Sequence, residues 1–303
     1  MNELTSRAEA LARLAAGAAR HAAVLHTGRR TISGIVWDKD LCISAAEPLA
    51  RAGRIQIEAD GTAAHSAELV ALDLSTDVAV LRTQLAANPI PRADSGALRL
   101  GEPVLVAGRD ARGALVHEAA VAQVGAAWQS RRGGQIERWL RLTQNVPPAL
   151  EGAGVFDLQG RLLAMAVEGP RGAVLGIPVE TIARILGLIE RHGHLPQPYL
   201  GIAVQPVALA PGSADGGAQD RALMVLAVDA GSPASAAGLL AGDILLSEGS
   251  RPLGHPLHLV RALRAGAPGE QLEFKLLRAG EPRALTVTRG ERPAAPARAR
   301  CGH

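Results

Sequence analysis

Residues able to perform nucleophilic or acid–base chemistry are unevenly distributed along this 303-residue chain. Asp77 stands directly before an apolar run, and the nearest histidine that precedes it is His65. Between Ser130 and Ser213 the sequence contains neither a serine nor a cysteine. Acyl transfer by an activated hydroxyl needs a nucleophile, an imidazole that accepts its proton and a carboxylate that orients the imidazole. The sequence therefore supplies a carboxylate at Asp77 but no ordinary nucleophile between residues 131 and 212.

Short β-like runs separated by Gly, Asp and Pro follow one another from residue 30 to about residue 169. Seven or more such runs are typical of a β-sandwich or barrel. Before them, Ser6 to Glu9 has the pattern of a capping box, which predicts the start of a short amphipathic helix. The predicted organisation is an N-terminal helix, two folded units with a Gly/Pro linker between them, and a disordered tail, with bounds 1–28, 29–192, 193–198, 199–290 and 291–303.

The second unit opens with Tyr199-Leu200-Gly201-Ile202, and a Gly-Leu-Leu-Ala-Gly-Asp-Ile run follows from Gly238 to Ile244. These motifs resemble the bacterial PDZ domain of the HtrA/Deg serine protease family. The resemblance implies an α+β domain that captures the carboxylate of a peptide C-terminus, or an extended segment, beside its first strand. The peptide-binding residues that it implies are Tyr199, Leu200, Gly201, Ile202, Val204, Leu259 and Leu263. An alternative interpretation is that Leu259 and Leu263 belong only to the core.

The first unit resembles the trypsin-like domain of the same family, a chymotrypsin-like double β-barrel. The segments that resemble it are Thr31–Val36, Leu72–Leu81, Gly101–Gly108 and Gly176–Pro178. The predicted fold is therefore mainly β, with a double barrel, a PDZ domain and a short N-terminal helix.

The resemblance places Asp77 at the aspartate of a catalytic triad, Glu47 at the histidine and Glu151 at the serine. His65 and His117 are interpreted as surface histidines. The sequence therefore predicts a degenerate triad and an inactive homologue of a serine endopeptidase, a pseudoprotease rather than an enzyme. One interpretation is that the side chains of Glu47 and Glu151 are exposed to solvent and have no functional role. A more specific interpretation is that the carboxylates of Glu47, Asp77 and Glu151 share a proton or bind a hard cation. The prediction adopted here contains no metal site.

The leading functional hypothesis is a non-catalytic peptide-binding protein of protein quality control. Two alternatives stay open: an active HtrA-type serine endopeptidase, and a chaperone-like holdase. The expected partners are peptide or protein C-termini, and the resemblance implies a homo-oligomer, a trimer.

Composition excludes several other classes of protein. Aromatic residues make up 2% of the chain, which argues against stacking platforms for single-stranded nucleic acid. The arginines are scattered along the sequence and not clustered, so a basic surface that binds nucleic acid is not predicted. The chain has two cysteines, which are too few for a framework of several disulfide bonds. No cofactor is expected. The chain as written shows no transmembrane segment or signal peptide, which favours the cytoplasm, whereas the resemblance favours the periplasm.

Overall fold

The structure is a computed structural model that describes residues 3–28, 30–59, 62–85, 89–143, 147–209, 219–266 and 268–292. It divides into two compact units, Met1–Ser130 with Gln135–Leu195, and Arg131–Gly134 with Pro196–His303. The tail predicted to be disordered, residues 291–303, lies outside the described residues except for its first two positions.

The predicted N-terminal helix is present as α1, Glu3–Ala19, and it packs against the second barrel. It begins three residues before Ser6, so the prediction that Ser6 marks the helix start is wrong. Residues with ordinary helix propensity, such as glutamate and leucine, precede Ser6, and the helix extends through them.

Six strands form the first barrel, whose order around the closed sheet is β1-β2-β3-β6-β5-β4. They are β1 Ala22–His26, β2 Thr31–Asp38, β3 Leu41–Ala45, β4 Ile55–Ala59, β5 His65–Asp73 and β6 Val78–Arg82. The first four residues of β6 are all buried, as expected for an apolar run inside a closed barrel. This strand fixes the position of Asp77, which directly precedes it.

Six further strands form a second closed barrel of order β11-β14-β13-β12-β7-β8, and β9 pairs with β10 beside it. They are β7 Pro103–Asp110, β8 Gly113–Gly125, β9 Trp128–Gln129, β10 Gln135–Ile136, β11 Trp139–Leu142, β12 Gly154–Phe156, β13 Leu162–Glu168 and β14 Val174–Pro178. Helix α2, Val179–His192, follows and ends at Gly193 in the left-handed conformation. The predicted double barrel is confirmed.

The second unit is a small α+β domain with a sheet of order β16-β17-β18-β20-β21, in which β19 pairs with β18. Its elements are β15 Pro198–Tyr199, β16 Ile202–Ala208, β17 Arg221–Val228, α3 Pro233–Ala236, β18 Ile244–Glu248, β19 Arg251–Pro252, α4 Pro256–Arg264, β20 Gln271–Arg278, β21 Glu281–Thr288 and β22 Gly290–Glu291. Buried Asp243 accepts two hydrogen bonds of 2.8 Å from Arg278, which joins the glycine-rich turn to β20. The predicted PDZ architecture is confirmed.

Candidate functional site

Asp77 lies in the turn between β5 and β6, in a left-handed backbone conformation with φ 61°. This conformation costs an L-residue roughly 1–2 kcal/mol, so the surrounding contacts must hold it. Asp73 organises the turn, because its carboxylate accepts hydrogen bonds from the backbone N–H of Ser75 at 2.9 Å and the hydroxyl of Thr76 at 2.8 Å. The Asp77 carboxylate is thereby placed at the end of the first barrel.

Glu47 begins the 3₁₀ turn that follows β3, next to Asp77. Its backbone N–H donates to Oδ1 of Asp77 at 2.7 Å, and the N–H of Ala46 donates to the Asp77 carbonyl oxygen at 3.2 Å. Two main-chain donors therefore fix the turn of Asp77 to the segment after β3.

Glu151 belongs to a loop of the second barrel that is bound to the first barrel through Ser33. The backbone N–H of Ser33 donates to the Glu151 carbonyl oxygen at 3.0 Å, and the Ser33 hydroxyl donates to the Ala149 carbonyl oxygen at 2.7 Å. The Ser44 hydroxyl donates to the Ser33 carbonyl oxygen at 2.7 Å. Both hydroxyls are buried, so these bonds hold the loop in one place.

Gly152 allows the close approach of this loop to the first barrel. It has φ +85°, and a Cβ atom there would lie 2.4 Å from the Ser33 carbonyl oxygen and 2.6 Å from the Ser44 hydroxyl. Only glycine fits both the conformation and the space. The backbone bend around Glu151 thus depends on a residue without a side chain.

The charges of Asp77 and Glu47, two of the acidic residues singled out by the sequence, act on the third, Glu151. Burial, followed by the charge of Asp77, raises the pKa of Glu151 to about 7, with smaller contributions from Glu168 and Glu47. Arg30 opposes them. The charges of Asp77 and Glu47 therefore reach the Glu151 carboxyl, which changes its own charge near neutral pH.

The main-chain donors around Glu151 are used within the protein. The N–H of Glu151 donates to the Pro148 carbonyl oxygen at 3.1 Å, and the N–H of Gly152 donates to the Ala166 carbonyl oxygen at 2.8 Å. In this conformation neither N–H is directed at an external oxyanion.

The histidines considered in the sequence lie elsewhere. The Nε2 atom of His65 is 3.0 Å from the Thr83 hydroxyl, at the end of β6 opposite to Asp77. Thr83 lies six positions after Asp77 along β6, which corresponds to roughly 20 Å of extended chain. His117 lies on β8 of the second barrel. The described geometry therefore does not place His65 beside Asp77.

The hypothesis of a hard-cation site finds no support in the geometry. Over the described ranges, no three His, Cys, Asp or Glu side chains are grouped so that they could hold a metal ion.

The second candidate site lies in the α+β unit, at the loop that precedes β16. Gly201 has φ +77°, and its carbonyl oxygen accepts from the Asp229 N–H at 2.8 Å. The carbonyl oxygen of buried Leu200 accepts from Ala234 at 3.0 Å. Within the described part of the chain, the N–H groups of Leu200 and Gly201 donate no hydrogen bond. Tyr199 flanks the loop, and its hydroxyl donates to Asp229, which raises the pKa of Tyr199.

Beyond this loop, β16 forms an edge of the sheet. Among the described strands it pairs with β17 alone, and α4 packs near it. Ile202 and Val204 share one face of β16 and are half-buried, as Leu263 is on α4. Leu259 is buried in the core, so the structure agrees with the alternative interpretation for this residue. Sequence reasoning missed Asp229, whose partnership with Tyr199 spans 30 positions and has no local signal.

Comparison with known proteins agrees with this architecture. The family described as "Trypsin-like peptidase domain" matches residues 32–165, and the family described as "PDZ domain" matches residues 198–288. Among solved structures, the HtrA-type protease AlgW with decapeptide has a TM-score of 0.66 at 21% identity, over 94% of this chain and 99% of that chain. The serine endoprotease from Yersinia pestis has a TM-score of 0.65 at 21% identity, over 93% of this chain and 98% of that chain.

Curated relatives give the same picture. A probable periplasmic serine endoprotease DegP-like from Halomonas elongata is 26% identical over 274 residues, which are 88% of this chain and 57% of the relative. The protein of the same description from Brucella suis is 25% identical over 239 residues, 76% of this chain and 46% of the relative. The chain thus spans about half the length of these relatives.

These relatives correct two expectations. The prediction that the chain is not an enzyme is contradicted, because the relatives are described as serine endoproteases and the first unit matches a peptidase family. The assignment of Glu47 and Glu151 to the triad positions of histidine and serine stays a prediction. The expected cytoplasmic location is not supported, because the relatives are described as periplasmic. No described helix is long and apolar enough to cross a membrane.

Proposed function

Since the chain joins a trypsin-like peptidase domain to a C-terminal PDZ domain, as HtrA/DegP-type serine proteases do, we propose that it captures polypeptides through the PDZ domain and presents them to the peptidase-like domain. The observation that supports this proposal best is the loop before β16, in which the N–H groups of Leu200 and Gly201 donate to no described residue. Successive main-chain N–H groups of this kind bind carboxylates.

The neighbouring strand extends the same binding site. A peptide whose C-terminal carboxylate is held by the loop would continue along the open edge of β16 and form main-chain hydrogen bonds with it. The half-buried side chains of Ile202, Val204 and Leu263 would contact the apolar side chains of the peptide. Proline at position 206 is compatible with an edge strand, where no ladder hydrogen bond is lost.

The experiment that tests this proposal compares one fluorescent peptide with a free C-terminal carboxylate and the same peptide with a C-terminal amide. We expect the free carboxylate to bind at least about tenfold more tightly, as loss of charge-assisted hydrogen bonds implies. Gly201→Ala should remove this preference, because a Cβ there would lie 2.3 Å from Cβ of Ser232. Gly249→Ala is the matched control, because Gly249 also has a positive φ but no atom within 4 Å of its Cβ position. Equal binding of the two peptides would refute carboxylate capture.

A second candidate function, hydrolysis of the captured polypeptide, is favoured by the serine endoprotease descriptions of the curated relatives. At this site it would require water as the nucleophile, because Glu47 and Glu151 occupy the positions that the resemblance assigns to base and nucleophile. In a pair of carboxyl groups, one can act as the acid and the other as the base. Glu151, with a pKa of about 7, would act as the acid, and Asp77 as the base. The loop would also have to free the Glu151 N–H from Pro148 to stabilise an oxyanion.

Casein cleavage by the full chain, with and without a fluorophosphonate, tests this second candidate. Cleavage that resists the reagent and is lost in Glu151→Gln would support a carboxylate mechanism. Cleavage abolished by the reagent would identify a serine nucleophile instead. No cleavage above the level of a Glu151→Gln/Asp77→Asn double variant would rule hydrolysis out.

The curated relatives also favour a periplasmic location for this chain. A role in protein quality control stays a prediction from the family resemblance. Assembly into a homo-oligomer, a trimer by family resemblance, stays a prediction. Sedimentation of the full chain measures it directly.

A further inference from the structure

The first turn of helix α4 in the second unit has an unusual cap. Its N-cap residue is His255, whose Nδ1 atom accepts a hydrogen bond from the Leu257 N–H at 3.1 Å. Pro256 at the first helical position has no N–H, and the His258 N–H donates to the His255 carbonyl oxygen at 2.8 Å. An imidazole nitrogen therefore has the role that a serine, threonine, aspartate or asparagine oxygen has in most helices.

This cap exists only while the imidazole of His255 is neutral. A neutral imidazole whose Nδ1 accepts a hydrogen bond carries its proton on Nε2. A second proton converts Nδ1 into a donor, so that it and the Leu257 N–H are two donors facing each other. The imidazolium also places a positive charge at the N-terminal end of the helix, where the helix dipole disfavours cations. Protonation of His255 therefore removes the cap and destabilises the first turn of α4.

A second histidine lies next to the cap. The ring centroid of His258 is 6.1 Å from that of His255, and both side chains are exposed, so both exchange protons with the solvent. Two protonated imidazoles at this distance repel each other. A fall in pH therefore acts on the start of α4 through two histidines, of which His255 makes the capping hydrogen bond.

The other charged groups near α4 do not replace the lost cap. The strands that pack against α4, β15 and β16, contain no acidic or basic residue apart from Tyr199. The permanently charged groups on α4, on β19 and at the start of β17 beside Gly254 are all cations, namely Arg261, Arg264, Arg251 and Arg221. Glu248 lies opposite Arg251 in the pair of β18 and β19, and Glu270 binds Arg289 at the other end of α4. Both carboxylates therefore have an arginine beside them, and neither is placed to hold the protonated imidazole.

The first turn of α4 supports one wall of the candidate peptide site. Leu259, two positions after Leu257, is buried in the apolar cluster of the second unit. Ile202 and Val204 of β16 pack against the same cluster. If the first turn of α4 unfolds, this wall loses its anchor and the form that binds peptide is only partly populated. A ligand that binds one form alone then has an affinity reduced by the population of that form.

We infer that His255 is a pH sensor for peptide binding by the second unit. The neutral imidazole caps α4 and keeps the groove in its binding form, whereas the imidazolium releases the first turn of α4 and weakens binding. Histidine is the side chain that ordinarily changes its charge between pH 5 and pH 8, so the response falls in this range. This inference rests on the proposed capture of polypeptides, to which it adds regulation by pH.

Fluorescence anisotropy of the full chain at pH 8 and pH 5 tests the inference. The probe is a fluorescent peptide that has a free C-terminus and no ionisable side chain. Its carboxylate stays ionised at both pH values, because an α-carboxyl group titrates well below pH 5. We expect the peptide to bind about fivefold more weakly at pH 5, the scale of losing one helix cap.

Matched variants assign the pH response to the cap. His255→Asn supplies a capping oxygen that does not titrate, so its affinity should match that of the unchanged chain at pH 8 and fall by less than about twofold at pH 5. His258→Gln keeps the capping imidazole and should retain at least about a threefold response. His117→Gln removes a histidine of the first unit and should keep the full response.

NMR spectra of the full chain without peptide measure the cap itself. The amide resonance of Leu257 should shift between pH 8 and pH 5 in the unchanged chain, because its acceptor is lost, and should shift much less in His255→Asn. A Leu257 amide that does not respond to pH in the unchanged chain would overturn the inference, even if peptide binding changes with pH.

The binding measurements separate failure of the inference from failure of the proposed function. Binding at pH 8 that is unchanged at pH 5, or a pH response that survives in His255→Asn, would refute the regulation alone. No binding of the free carboxylate at pH 8 would refute peptide capture, and the regulation with it.

Discussion

The backbone N–H of Glu47 donates to Oδ1 of Asp77 at 2.7 Å, across 30 positions of sequence. The bond helps to hold Asp77 at a φ of 61°, a conformation that an isolated aspartate rarely adopts. The carboxylate of Asp77 therefore has a structural role, whatever further chemistry the site performs.

Asp77→Ala should lower the free energy of unfolding of the first unit by about 1.5 kcal/mol, because it removes a charged acceptor and keeps the backbone strain. Asp77→Asn retains an oxygen acceptor and should therefore lower the free energy of unfolding by less than Asp77→Ala does. Urea denaturation followed by tryptophan fluorescence measures both, since Trp37, Trp128 and Trp139 are the three tryptophans of the chain and all lie in the first unit. If the two variants are equally stable, the hydrogen bond to Glu47 is not what the carboxylate contributes.

Ser33→Ala should lower the free energy of unfolding of the first unit by about 1–3 kcal/mol. This is the range for leaving buried polar groups without hydrogen-bond partners. The Ser33 hydroxyl donates to Ala149 and accepts from the Arg109 N–H at 3.0 Å, so its loss affects both groups. Ser66→Ala is the control, since this exposed hydroxyl accepts from Arg54 alone among the described residues, and it should change the free energy of unfolding by less than about 0.5 kcal/mol. The same fluorescence measurement applies, and similar stabilities of the two variants would contradict the role given to Ser33.

Gly152→Ala should destabilise the first unit more than Gly101→Ala. Both glycines have positive φ, 85° and 77°, so both variants suffer backbone strain of about 1 kcal/mol. At Gly152 alone the added Cβ also overlaps the Ser33 carbonyl oxygen, and overpacking adds about 1–3 kcal/mol. No atom lies within 4 Å of the Cβ position at Gly101. Equal midpoints of thermal unfolding would show that the loop can move away from the first barrel.

Glu151 gives the stability of the first unit a characteristic pH dependence. Its pKa is raised from 4.5 to about 7 on folding, so the folded state binds more protons than the unfolded state between these values. The free energy of unfolding should therefore fall as pH rises from about 4.5 to about 7. Glu151→Gln should remove this part of the slope, and Glu118→Gln should not. Urea denaturation at pH 5 and pH 8 makes the comparison, and an unchanged slope in Glu151→Gln would contradict the assigned pKa.

Local sequence patterns predicted the elements of this fold well. The apolar run from Val78 is a buried barrel strand, and the glycine-rich run that ends at Asp243 is the turn before β18. Such patterns succeed because burial and turn chemistry act over a few residues. The capping pattern at Ser6 predicted the wrong start for α1, because the residues before Ser6 can themselves form helix.

The site was predictable only in part. The resemblance indicated Asp77, Glu47 and Glu151 as neighbours, and the charges of Asp77 and Glu47 do act on Glu151. It gave no sign of Ser33, whose hydroxyl reaches Ala149 across 116 positions. It also gave no sign of the cavity beside Glu151, whose walls come from two separate segments of the second barrel. Long-range contacts of this kind depend on how the barrels close, which no local pattern records.

The most direct test of the central claim, peptide capture along β16, is amide hydrogen exchange of the full chain with and without a peptide that has a free C-terminus. The claim predicts slower exchange in the segment 200–208, because new main-chain hydrogen bonds would cover the loop N–H groups and the open strand edge. Strand β21, at the other end of the sheet, should be unaffected. Saturating peptide with no added protection in 200–208, or protection confined to β21, would contradict it.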